Sequence, residues 1–151
     1  MQMALSRDNY MHFALDLAQE ASADVEVPVG CVIVKDGNII GRGRNRCEEK
    51  RDALCHAGLE AIREAEASLG DWRLDGCQMY VTMEPCPMCA GAVINSRITE
   101  LYYGVKDPKK GAVGSVLDLF SENFGHKVKV IPGILESESR AILKQFFEGI
   151  R

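Results

Sequence analysis

Residues 77–94 read CQMYVTMEPCPMCAGAVI, and most of the fold follows from how this stretch divides. Cys77 to Met83 is apolar and β-rich, which predicts a strand. Pro85 onward turns into a short helix through Ile94, since proline is tolerated in a first helical turn and nowhere deeper. Working outward, Thr99 to Val105 predicts another strand and Lys127 to Ile131 a shorter one. Upstream, Val29 to Val34 is a β-branched run, Asp36-Gly37 is a two-residue turn, and Asn38 to Gly43 returns, the signature of a hairpin. His56 to Leu69 reads as a helix ended by Gly70. Residues 7 to 22 predict an opening helix with Tyr10, Phe13, Ala14, Leu17, Ala18 and Ala21 at helical spacing. Glu136 to Ile150 predicts a closing amphipathic helix with Ile142, Leu143, Phe146, Phe147 and Ile150 on its core side. Strands alternating with helices predict an α/β chain, a three-layer α/β/α sandwich. The hairpin makes its five-stranded sheet mixed rather than purely parallel. Neither a repeat nor a linker interrupts the chain, so residues 1–151 are expected to form one domain.

Composition narrows the setting. A chain of 151 residues can bury about two thirds of its unfolded surface, and 46% hydrophobic with 26% charged residues is ordinary for a globular protein. No stretch approaches the roughly 20 continuous apolar residues of a membrane span. The first twenty residues carry Asp8, His12 and Asp16 inside the apolar run, so they read as an amphipathic helix rather than a signal peptide. A cytoplasmic protein with no membrane association is expected. A net charge of -4 argues against a general nucleic-acid coat protein. It leaves room for a local basic face, for which Lys106, Lys109, Lys110, Lys127 and Lys129, with Arg140, Lys144 and Arg151 near the end, are candidates, although a solvated surface is the favoured reading of such charges.

Six cysteines in a reducing compartment are free thiols, redox residues or metal ligands. Cys86 and Cys89, three residues apart at the entry of a helix, can reach one ion, and the orphan N–H groups there favour thiolates. A Cys-x-x-Cys alone is also compatible with a redox pair, half of a structural zinc site, or two core thiols. No second Cys-x-x-Cys and no His-x₃-His completes a four-ligand structural site. His56, at the start of a predicted helix, can instead face the two sulfurs. Three protein ligands leave a fourth position for water, the layout of a catalytic zinc. His12 falls on the exposed side of its helix and His126 near a strand start. Cys55 and His56 point about 100° apart on a helix, so both do not serve one ion. Cys31, Cys47, Cys55 and Cys77 are read as thiols.

The run Glu26-Val27-Pro28-Val29-Gly30, then Asn45, His56-Ala57, and Thr82-Met83-Glu84-Pro85-Cys86-Pro87-Met88-Cys89-Ala90-Gly91-Ala92 resembles the bacterial tRNA-specific adenosine deaminases, of the cytidine/deoxycytidylate deaminase-like superfamily. The resemblance extends to Gly70-Asp71-Trp72-Arg73-Leu74 and to the closing Phe146-Phe147 helix. It implies a cytidine deaminase-like fold and one Zn²⁺ per chain, held by His56, Cys86 and Cys89. It also implies hydrolysis of adenosine to inosine at the wobble base of a tRNA anticodon loop, with the base splayed out into a pocket beside the metal. Asn45 matches the position that hydrogen-bonds the flipped nucleotide, and the resemblance implies a homodimer.

One departure bears on activity. Zinc deaminases carry His-x-Glu, the glutamate serving as general acid and base; here the run is His56-Ala57-Gly58. Glycine cannot move a proton, and it costs up to ~1 kcal/mol in a helix relative to alanine. Glu60, one turn after His56, lies on roughly the same helix face and is a conceivable substitute. Glu84 belongs to the resemblance as it stands and is expected to support the site. Gly58 is open to three readings: a deliberate inactivation, a natural binding protein without catalysis, or an enzyme with altered chemistry. Phe124-Gly125-His126 departs as well, since the family often has Asn before this His. Two further functions stay in view, a deaminase of free bases or nucleosides and a non-catalytic zinc-containing RNA-binding module.

Overall fold

The hairpin turn is the first local feature that the computed structural model makes explicit; it describes residues 5–150. Asp36 and Gly37 take φ of 50° and 81°, the positive pair that a two-residue turn needs if its twist is to match the strands it joins. That turn links β1 (Gly30–Lys35) to β2 (Asn38–Arg44) in antiparallel register, Lys35 opposite Asn38. Around them run α1 (Arg7–Ala23), a four-residue α2 (Cys47–Lys50), α3 (Ala57–Leu69), β3 (Gln78–Met83), α4 (Pro87–Asn95), β4 (Glu100–Val105), a single 3₁₀ turn, β5 (Lys129–Ile131) and α5 (Glu136–Gly149). The sheet order is β2-β1-β3-β4-β5. β1 pairs antiparallel with β2 and β3, whereas β3, β4 and β5 are parallel. The expected mixed five-stranded sheet is present.

Central strands covered on both faces need apolar residues at every position, and β1, β3 and β4 are buried almost throughout. Their alternation divides the core in two. Cys31, Ile33, Met79, Val81, Leu101 and Tyr103 face α3 and α4. Val32, Val34, Tyr80 and Tyr102 face α1 and the start of α5, with Tyr80 and Tyr102 stacked at 4.6 Å between ring centres. No helix among the described residues is long and apolar enough to cross a membrane.

Two helical faces differ from expectation. In α1 the buried stripe is Tyr10, Met11, Ala14, Leu15, Ala18 and Ala21; Phe13 is exposed and Leu17 only half-buried. The two stripes share Tyr10, Ala14, Ala18 and Ala21, so a rotation of one residue satisfies the same periodicity. The choice falls to Met11 and Leu15, which meet Val32 and Tyr80 in one cluster. In α5 only Ser139 is buried, with Ile142 packed against the second core. Leu143, Phe146, Phe147 and Ile150, expected in the core, line an open cleft instead. The helix packs through Ser139 and Ile142, and the apolar residues of its second half border the cleft.

Glycine sets how closely α3 approaches the sheet. A Cβ on Gly41 would lie 2.3 Å from the Ala61 carbonyl oxygen, and one on Gly43 would lie 2.2 Å from that of Ala57. The helix backbone therefore rests directly on β2, and this contact fixes where α3 begins. Gly43→Ala is expected to destabilise the chain by about 1–3 kcal/mol, the usual range for overpacking a tight site, seen as a lower urea midpoint at unchanged slope. An unchanged midpoint would show that α3 is not seated in this way.

Candidate metal centre

Each residue of the centre owes its position to a helix start. His56 precedes α3 with extended backbone (φ -80°, ψ 152°) and its side chain makes no capping bond. Asn45, just past β2, supplies the cap instead. Its Oδ1 accepts the Ala57 N–H at 2.9 Å, and its Nδ2 donates to the Val27 carbonyl at 3.1 Å. The imidazole is thereby free to turn outward. Cys86 precedes α4 in the same extended conformation, Pro87 occupies the first helical position, and Cys89 is buried within the first turn. Because α4 follows directly from β3, both cysteines stand at the carboxyl end of a central strand, where open α/β sheets bind their ligands.

The three side chains converge. His56 Nδ1 is 3.6 Å from Cys86 Sγ and 3.6 Å from Cys89 Sγ, and all three ligand atoms lie within 4.8 Å of one another. Ordinary zinc–sulfur and zinc–nitrogen bonds at a tetrahedral angle place N and S about 3.6 Å apart, so the donor set fits that ion in both chemistry and spacing. Electrostatics agree. The Cys86 thiol is drawn down to about 3 by the hydrogen bond from Cys89 and by His56, against the cost of burial. Cys89 is pushed up by its bond to the Cys86 sulfur and by burial. Two adjacent thiolates repel, and a cation between them removes the conflict. The other four cysteines resist ionisation: burial raises Cys31, Cys47 and Cys77, and takes Cys55 up to about 11 together with its bonds to Asp52 and Glu60.

The centre opens into a cleft of about 1110 Å³ bordered by Asn45, Gly58, Lys109, Lys110, Leu143 and Phe146 among others. Gly58 is buried beside the metal group. A Cβ there would lie 3.6 Å from Cys89 Sγ and 3.9 Å from Met79 Cε, ordinary contacts that leave room for a side chain. Glu60 is not its substitute: it does not border the cleft, and its carboxylate pairs with Lys50 at 3.4 Å. The shared helix face expected for His56 and Glu60 fails because His56 stands before the helix rather than on it.

Two buried carboxylates border the cleft without facing it freely. Glu84 accepts backbone N–H groups of Asp107, Val113 and Ser115. Glu26 caps α2 by accepting those of Glu48 and Glu49, at 3.1 and 2.8 Å. The role of Glu26 had only one sequence signal, an acidic residue inside an otherwise apolar EVPVG run. His126 bonds the Ile98 carbonyl and His12 is exposed on α1; neither reaches the centre.

The family model for the cytidine and deoxycytidylate deaminase zinc-binding region matches residues 5–105. The chain belongs to this deaminase family. A tRNA-specific adenosine deaminase of Agrobacterium fabrum is 47% identical over 146 residues, covering 96% of each chain. That of Bacillus subtilis is 43% identical over 143 residues, 94% of this chain and 89% of its own. A solved structure from a study of A-to-I editing by tRNA:A34 deaminases superposes with a TM-score of 0.87 at 46% identity, over 89% of this chain and 99% of that one. The deaminase region is thus a zinc-binding one, and the His/Cys/Cys group could hold one ion per chain. Cys86→Ala is expected to lower zinc from one per chain to well under half after dialysis against a competing chelator, while Cys47→Ala keeps its zinc. Equal retention in both would place the ion elsewhere.

Proposed function

We propose that this chain is a tRNA adenosine deaminase scaffold, shaped for hydrolysis of adenosine to inosine at the wobble position of an anticodon loop. His56, Cys86 and Cys89 are its zinc ligands. The observation that carries the reading is the Nδ1–Sγ–Sγ group at the floor of a large open cleft, in a chain similar nearly end to end to tRNA-specific adenosine deaminases. Held by these three residues, a zinc ion would supply Lewis-acid activation of water near neutral pH.

The protein's own groups divide the remaining work. Asn45 borders the cleft, and its amide still has one N–H to offer a nucleotide while the other holds Val27. Leu143, Phe146 and Phe147 form an apolar wall against which unstacked bases can rest. Lys109 and Lys110, exposed at the border of the same cleft, suit phosphates. The proton shuttle is what is missing. Gly58 stands where a carboxylate would take the proton from the attacking water and pass it to the base and then to the departing amine. Glu26 and Glu84 are committed to backbone N–H groups and Glu60 to Lys50. The chain as it stands is therefore strongly impaired in turnover while keeping its metal and its cleft. We further assign it a single-domain, homodimeric, cytoplasmic state, as its resemblance implies.

Gly58 also favours a second reading, a zinc-containing RNA-binding protein without catalysis. One comparison separates the two. Inosine formation in an anticodon stem-loop with adenosine at the wobble position is expected to rise by at least about 10²–10⁴ in Gly58→Glu over the parent, the usual worth of a general acid–base residue. Metal content should be equal in the two. RNA binding with no turnover in either chain would favour the binding protein. Turnover of free guanine or cytosine with none on RNA would overturn both readings.

A further inference from the structure

We propose that Glu84 is a positioning residue for RNA: it holds the lysine-bearing rim of the cleft, residues 107–115, so that affinity depends on a carboxylate that touches no RNA. The inference rests on the reading that this cleft receives an RNA loop.

Glu84 lies between two functional segments. It stands two residues before Cys86, its side chain is buried, and no ion pair reaches it among the described residues. A buried charge without a countercharge is costly unless hydrogen bonds replace its water, and here they come from one loop. Oε1 accepts the Asp107 N–H at 3.1 Å and the Ser115 hydroxyl. Oε2 accepts the Val113 and Ser115 N–H groups, each at 3.1 Å. The loop closes around the carboxylate so tightly that a Cβ on Gly111 would lie 2.3 Å from it. Next to it, the Ala112 N–H bonds the Pro85 carbonyl at 2.8 Å, tying the same loop to the metal-bearing turn.

The chain of bonds then reaches the lysines. Asp107, held through its N–H by Glu84, accepts with Oδ1 the backbone N–H groups of Lys109 and Lys110 at 3.0 and 3.2 Å. Both lysines are exposed on a turn that borders the cleft. The Gly111 N–H closes that turn on the Asp107 carbonyl at 2.8 Å, and the Glu84 carboxylate holds the closed turn against the metal-bearing segment. The anchor has to be an acceptor throughout. Three N–H groups and a hydroxyl converge on two oxygens, so a glutamine, whose NH₂ only donates, would face at least one donor with another. Glu84 therefore links the metal-bearing turn to the lysine-bearing rim, and an RNA that meets both depends on that link.

The test is a cycle of variants read by fluorescence polarisation with a labelled anticodon stem-loop, together with zinc analysis. Glu84→Gln is expected to weaken binding about tenfold and to flatten its salt dependence by about one to two lysine contacts, with zinc still at one per chain. Lys109→Ala/Lys110→Ala should do the same. On that lysine-free background Glu84→Gln should add less than about twofold, because its effect runs through the lysines; the strength of coupling is what such a cycle reads. Ser115→Ala, which removes only the hydroxyl donor, keeps the test open if Glu84→Gln fails to fold, and it should show a smaller loss that likewise vanishes without the lysines. Full additivity, or unchanged affinity in Glu84→Gln, overturns the proposal, as does loss of zinc in step with loss of binding. A parent chain that binds no stem-loop overturns it together with the RNA reading, an outcome distinct from failure of Glu84 alone, in which parent and variant bind equally.

Discussion

The ligand atoms of His56, Cys86 and Cys89 lie within 4.8 Å of one another because α3 and α4 begin side by side at the carboxyl end of β3. That meeting depends on how deeply α3 settles on the sheet. Its backbone touches β2 at Gly41 and Gly43, where any side chain would collide with a carbonyl oxygen. A displacement of α3 by the width of a methyl group would carry His56 out of reach of the sulfurs, since hydrogen-bond and coordination distances tolerate only tenths of an ångström. The metal centre is thus a consequence of close packing some distance from it.

Charge in the interior is used in a consistent way. Glu26 and Glu84 are both 3% exposed, and each gathers backbone N–H groups from a segment lacking regular structure of any length. One holds α2 and the other holds the loop after β4. Such segments cannot satisfy their N–H groups internally, and an acceptor-only side chain with two oxygens meets several at once. The cleft between them keeps its shape without covering its floor. Its third wall, the far half of α5, is apolar and only partly packed.

Much of this was legible in the residues. Strand and helix positions follow from periodicity and turn chemistry: Asp36-Gly37 for the hairpin, Gly70 for the end of α3, Pro85 and Pro87 for the passage from β3 into α4. The metal group was legible too, because a Cys-x-x-Cys at a helix entry needs few partners and the chain holds only three histidines. The faces of α1 and α5 were not. A helical stripe can rotate by one residue without breaking its period, and an apolar stripe looks the same whether it meets a core or a cleft. Nor was the use of Asn45 as the cap of α3, since the bond spans twelve residues of sequence.

The amino-acid sequence alone therefore determined the order of the strands and longer helices, the hairpin that makes the sheet mixed, and the deaminase signature, because turn chemistry, periodicity and motif spacing are carried by the chain itself. Tertiary structure alone decided which acidic groups are free and which are committed. Glu60 stands four residues after His56 yet turns to Lys50, and Glu84 stands beside the metal turn yet serves a loop some thirty residues away. Hydrogen bonding of a buried carboxylate depends on donors brought from distant parts of the chain, and only the folded packing brings them.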